Sequence, residues 1–270
     1  MHLITRMKWK PVFFLFSLIV WSTSCGSTLQ EITLRYDGSG VIYNQYDFTE
    51  MLGMIKMMKS AMEGEESTPG FSENIMEVLL KENPIDTSFT MGQALPDSLR
   101  HRIDHPELLD KMSIRVQMSG ENNQTLLGIT ISFDHQEEII KIFEELLKTE
   151  DEEEKAAIDL KEIRSGFGRF TVHADQGMVF FEESEFKVQG MEASELEFEN
   201  MQEEDKEMME LFFGEQKNIT VIHLPGRIIE YDHPLGILSE DGTTLTIEES
   251  MLNLIRSKRS PAFTIRYETK

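Results

Sequence analysis

Thioethers, imidazoles and carboxylates are the side chains here whose types and spacing could do chemistry. Met51, Met54, Met57, Met58 and Met62 crowd one short stretch. Steps of three and four put Met51, Met54, Met58 and Met62 on one face of a helix. Three chemistries fit that face: flexible core filling, an adaptable apolar groove for a lipid tail or partner, and soft Cu(I) ligation by an M-x-x-M pair. His101 and His105 stand four apart in HRIDH, a spacing that faces one ion on a helix. No glutamate stands where a zincin would need its base, and Pro106 ends any helix there. The carboxylates lie mostly in runs such as 150–154 and 195–205, which are solvated faces. An acid/base pair needs burial to separate two pKa values, and no D-x-D-x-D-G loop marks a calcium site. Asp37 and Asp241 are turn residues, expected to bond their own backbone. No G-x-S-x-G, Walker or dinucleotide loop occurs, so no catalytic residue and no cofactor or metal are expected.

The single cysteine, Cys25, is different in kind. Arg6, Lys8 and Lys10 precede an apolar run, residues 11–21, closed by Ser22, Thr23 and Ser24. That is the layout of a secretory signal. The run is about half the ~20 residues of a spanning helix. A cysteine at this place resembles a bacterial lipobox, with Ser22 where leucine is usual. Its sulfur would take a diacylglycerol, and the chain would be cut just before it. The alternative is a secreted chain with a free thiol, a liability that acylation removes. Residues 1–24 then form the signal and residues 25–30 a lipidated tether.

The chain must position these groups with 270 residues, 26 of them Lys or Arg and 49 Asp or Glu, a net charge of −23. Such acidity excludes a broad phosphate-neutralising surface, so nucleic acid is not an expected partner. One cysteine excludes a disulfide framework and any multi-cysteine metal site. Loss of residues 1–24 would remove three positive charges and no acid, leaving a domain that anionic membrane surfaces repel.

Residues 31–48 read as a hairpin across Asp37-Gly38-Ser39-Gly40. Thr49 caps a helix carrying the methionine face. A second helix near 72–82 stops before Asn83-Pro84. IDTSF reads as a strand, and a short helix begins near Pro96. A second hairpin joins 112–119 to 124–133. Asp134 and Glu137 suggest a capping box for a helix with Ile139, Ile140, Phe143, Leu146 and Leu147 on one face. The acidic stretch 149–166 divides an N-terminal unit, 31–148, from a C-terminal unit, 167–270. The latter holds strands near 168–174 and 178–189, an acidic helix near 199–213, strands NITVIHL, RIIEY and TTLTI, a short helix capped by Thr246 and Glu249, and a closing strand AFTIRYE. The expected fold class is α+β: antiparallel hairpins in a sheet with amphipathic helices on one face, in one unit or two subdomains.

Four places resemble a group of uncharacterised envelope lipoproteins frequent in Bacteroidota: the Cys25 region followed by a strand and Asp37–Gly40, the methionine-rich helix, Ile85-Asp86-Thr87 with the hairpin and helix of 112–147, and ITVIHLPGRI…LSEDGTTLTIEESMLNLI. A fainter similarity is to the LppM-type lipoprotein domain of mycobacteria, which pairs a lipid anchor with a DGS-type hairpin and a late Pro-Gly strand. That resemblance implies glycolipid binding but supplies no lipid-binding residue. The expectation is a bacterial envelope lipoprotein, anchored through Cys25 to the outer membrane and facing the periplasm. Its domain is read as non-catalytic, with a lipid or an envelope protein as partner. The alternative is a carrier with an apolar cavity beside Met51, Met54, Met58 and Met62.

Overall fold

The computed structural model describes residues 28–49, 85–95, 97–119, 124–148, 167, 169–185 and 203–270. Cys25, the methionines of 51–62 and the acidic stretch 149–166 lie outside the described residues.

Strands β1 (Thr28–Leu34) and β2 (Gly40–Asp47) form the first hairpin. Its turn is built by Asp37, whose Oδ1 accepts from the Ser39 backbone N–H (3.0 Å) and hydroxyl (2.7 Å). Gly38 takes φ +84°, a conformation open mainly to glycine. Then come β3 (Ile85–Thr90) and the single-turn helices α1 (Met91–Ala94), α2 (Asp97–Arg100) and α3 (Pro106–Leu109). Strands β4 (Met112–Ser119) and β5 (Gln124–Phe133) form the second hairpin, and α4 (Glu137–Leu147) follows. The second half supplies β6 (Phe170–His173), β7 (Met178–Phe181), β8 (Ser184–Glu185), α5 (Glu203–Phe213) and β9 (Lys217–His223). It closes with β10 (Ile228–Tyr231), β11 (Gly236–Leu238), β12 (Thr244–Ser250), α6 (Met251–Ser257), β13 (Arg259–Ser260) and β14 (Phe263–Tyr267).

Among the described residues, three sheets result. The largest has eight strands in the order β11-β12-β9-β1-β2-β5-β4-β3, a second runs β10-β14-β7-β6, and β13 pairs with β8. The class is α+β, as the alternation and helical spacing imply. One joint departs from antiparallel pairing: β1 runs parallel to β9, with Thr28 opposite Asn218 and Thr33 opposite His223. The large sheet thus takes strands from both halves of the chain. One buried cluster also spans them, including Ile32, Ile42, Ile131, Phe133, Ile222 and Leu245. Aromatic rings pack between the sheets and along the smaller one: Phe133 of the large sheet meets Phe170 (6.3 Å), and within the second sheet Phe170 adjoins Phe181 (5.7 Å), which stacks on Phe263 (4.2 Å).

Two local expectations are corrected. Helix α4 starts at Glu137, and Glu138, not Glu137, reaches back to the Asp134 N–H (2.9 Å). Lys111 holds both carboxylates, at 2.8 and 2.6 Å, so the turn extends one residue further than a capping box. The buried face of α4 is accordingly Ile139, Ile142, Phe143 and Leu146, with Glu145 buried where it accepts from the Asp104 N–H (2.9 Å). Second, Thr246 and Glu249 cap no helix. Strand β12 persists to Ser250, which pairs with Lys217, and α6 starts only at Met251.

Candidate functional site

Between β10 and β11 the chain crosses from the edge of the four-stranded sheet to the edge of the eight-stranded one. The crossing, residues 228–238, forms an arch. At its start the register breaks: Ile228 is opposite Tyr267 and Glu230 opposite Arg266, leaving Ile229 unopposed. A bulge on an edge strand re-aims a side chain in this way. The Tyr231 hydroxyl donates to the Gly236 carbonyl (3.2 Å), closing the arch across its base. A Cβ at Gly236 would lie 2.6 Å from the Tyr231 ring and 3.0 Å from a Leu245 methyl, so only glycine lets the two strands approach. Asp232 accepts from the Thr264 N–H at 2.6 Å and ties the arch to β14.

His233 is the plug. It is 4% exposed, and its ring stands edge-on to Phe263 at 4.9 Å. Its Nδ1 accepts from the Leu235 N–H (3.2 Å), which requires an unprotonated Nδ1 and places the ring proton on Nε2. Burial and the nearby Arg169 hold its pKa below the ordinary value, against the opposing pull of Asp232. Arg169 is the charged group of the interior that acts on the ring. Arg169 donates to the Ser184 hydroxyl (3.1 Å) and lies within electrostatic range of Glu249, which is 8% exposed. Burial raises the Glu249 carboxyl, while Arg169 and the Ser260 hydroxyl pull it back. The charge that acts on Glu249 is a guanidinium and not a second carboxylate, unlike the arrangement of an acid/base dyad.

The outer side of the arch is apolar. Ile229 is 68% exposed, Ile237 65% and Leu235 50%, with Leu238 beside them. Four of the six large hydrophobic residues exposed among the described residues therefore fall between 229 and 238. Burying each would contribute about 1.5–3 kcal/mol, so the arch leaves several kcal/mol unused in the isolated chain. An exposed apolar cluster rimmed by polar residues, here Glu230, Asp232 and Glu240, is the usual mark of a contact surface.

The sites foreseen from sequence fall elsewhere. Cys25, Met51, Met54, Met58 and Met62 lie outside the described residues. His101 and His105 share no helix: α2 stops at Arg100, and His105 precedes α3 and contacts the exposed Glu107 at 3.3 Å. Among the described residues no group of three metal-ligating side chains gathers. Asp37 and Asp241 serve their turns as expected, Asp241 accepting from the Thr243 N–H (3.0 Å) and the Ser239 hydroxyl (2.6 Å). Sequence reasoning missed the arch because IIEYDHPLGIL is an unbroken mixture of apolar and turn residues, with no period to separate inward from outward.

No protein-family profile and no curated protein matches the chain. Among solved structures it is similar to a mycobacterial lipoprotein domain. That structure is the folded domain of Mycobacterium tuberculosis LppM, at 10% identity and a TM-score of 0.36 over 92% of each chain.

Proposed function

We propose that the chain is a lipoprotein of the bacterial cell envelope, acylated at Cys25, whose folded domain is a non-catalytic interaction module facing the periplasm from the outer membrane. The observation that carries the interaction role is the apolar arch: Ile229, Leu235 and Ile237 stand in solvent on two sheet edges, while His233, Tyr231 and Asp232 fix them there. Side chains held rigidly outward are prepared for a partner at little entropic cost. Cys25, at the end of its apolar run, supports the anchor.

The test is metabolic labelling of the full chain with radioactive palmitate in a Gram-negative host. The wild type is expected to incorporate label and to sediment with outer membranes. Cys25→Ser is expected to lose both. A labelled Cys25→Ser chain, or an unlabelled wild type released to the soluble periplasm, would refute the anchor.

A further inference from the structure

The arch lies near the start of β1, the strand that Cys25 precedes in sequence. Cys25 is three residue steps from Thr28, the first residue of β1, so the tether spans at most about 11 Å. Strand β11 lies three strands from β1, across β9 and β12. At about 4.8 Å per strand that is roughly 14 Å. Along the strands, Thr28 is level with Asn218 and Asn218 with Glu249, while Gly236 is level with Ile247. Gly236 is thus only two residues, about 7 Å, further along than Thr28. Leu235 lies one residue nearer to the anchored end.

The outer face of the large sheet between Ile237 and Thr28 alternates apolar and polar side chains. Cross-strand partners share a face, so Ile237, level with Thr246 and Val221, lies on the face of Val221, Ile219 and Leu29. These three are half-buried, and Glu31 and Glu248 stand among them, with Glu248 paired to Lys217 at 2.6 Å. The opposite edge is unlike this one. On β3, Asp86 holds Arg115 through two bonds (2.9 and 2.8 Å), and Ser88 shares its face.

We propose that the bilayer holding the Cys25 acyl chains is itself the partner of the arch. The domain rests on its β11 edge, with Ile229, Leu235 and Ile237 at the boundary between headgroups and acyl chains. This rests on the acylation proposed above. A second copy of the chain fits less well. Four side chains fall short of the roughly 800 Å² per partner of a stable protein interface, and pairing two arches would bring Glu230, Asp232 and Glu240 of each copy together. A zwitterionic lipid surface imposes no such repulsion. A modest apolar contact suffices to orient a domain that its acyl chains already hold.

With Cys25 acylated, a cysteine introduced elsewhere is the only free thiol. The purified full-length lipoprotein is labelled with a nitrobenzoxadiazole probe at Ile237→Cys or Ser88→Cys and reconstituted into phosphatidylcholine–phosphatidylethanolamine vesicles containing doxyl lipids. Quenching is expected to be at least about threefold stronger at position 237 than at 88, and to fall when Ile229→Asp and Leu235→Asp are added. Equal quenching, or stronger quenching at 88, overturns the proposal. So does a dimer in sedimentation that Leu235→Asp dissolves while probe 237 stays unquenched. Should vesicles fail to capture the chain, acylation has failed, and a Cys25→Ser chain with hexahistidine directly before position 25, on nickel-chelating lipids, puts the same question about the arch.

Discussion

The two edges of the large sheet meet solvent in opposite ways. At β3 the outward side chains are polar, and the Asp86–Arg115 fork closes charge on charge. At β11 they are Ile237 and Leu238, and the neighbouring Leu235 and Ile229 add to them. A bare edge strand invites pairing with other chains, and charge is the ordinary defence. The β11 edge uses other means: it is three residues long, Pro234 precedes it, and its backbone is drawn into the arch by the Tyr231 and His233 bonds. What distinguishes the edges is therefore purpose as well as protection. One edge is finished, and the other is held rigid and left apolar.

The largest effect is expected where the arch rests on the core. Arg169→Met removes the donor to Ser184 and the positive charge that draws on the buried Glu249 carboxyl, and leaving such buried polar groups uncompensated costs about 1–3 kcal/mol. Adding Glu249→Gln should restore much of the loss; denaturant melts of both variants check it. Gly236→Val forces a side chain against Tyr231 and Leu245 and should cost about 1–3 kcal/mol, with faster hydrogen exchange confined to 231–238.

Acid should loosen the arch selectively. His233 has a folded pKa below its unfolded value of about 6.5. Both states are neutral at higher pH. As pH falls below about 6.5 the unfolded chain takes up the proton first, so stability falls until the folded pKa is passed. Comparing Tm at pH 7.5 and 5.5 should show a larger drop for the wild type than for His233→Gln. An equal drop would mean that His233 does not tie the arch down.

The smallest effects distinguish the two edges themselves. Arg115→Ala removes an exposed ion pair and should leave the Tm where it was. Ile237→Asp should likewise leave the Tm nearly unchanged but lower vesicle binding by the arch. If Arg115→Ala lowers vesicle binding as much, the contrast between the edges is mistaken.

Much of the fold was legible because local chemistry dictates it. Asp37-Gly38 and Asp241-Gly242 build turns through bonds to their own neighbours, and the alternation in β2 needs no distant information. The helix α4 was legible in extent but not in rotation, because Lys111, 26 residues before Glu137, decides which carboxylate turns back. The end of β12 was misread for the same reason: Ser250 stays extended through its pairing with Lys217. Of the candidate site, the sequence marks only RIIEY as a strand and assigns nothing to 232–238. Nothing in IIEYDHPLGIL reveals that one isoleucine enters the core and the next is pushed into water by a bulge.

By itself the sequence determined composition, charge, the hairpins, the turn chemistry and the cysteine at the end of an apolar run, since each depends on neighbours a few residues apart. The tertiary structure alone decided the parallel joint of β1 with β9, the burial of Glu249, and the His233 plug beneath an apolar arch. Those features depend on which surfaces meet across stretches of chain far longer than any local pattern, 190 residues between Thr28 and Asn218. Apolar side chains are attracted to any apolar surface, and the sequence pattern does not say which ones are left without a place.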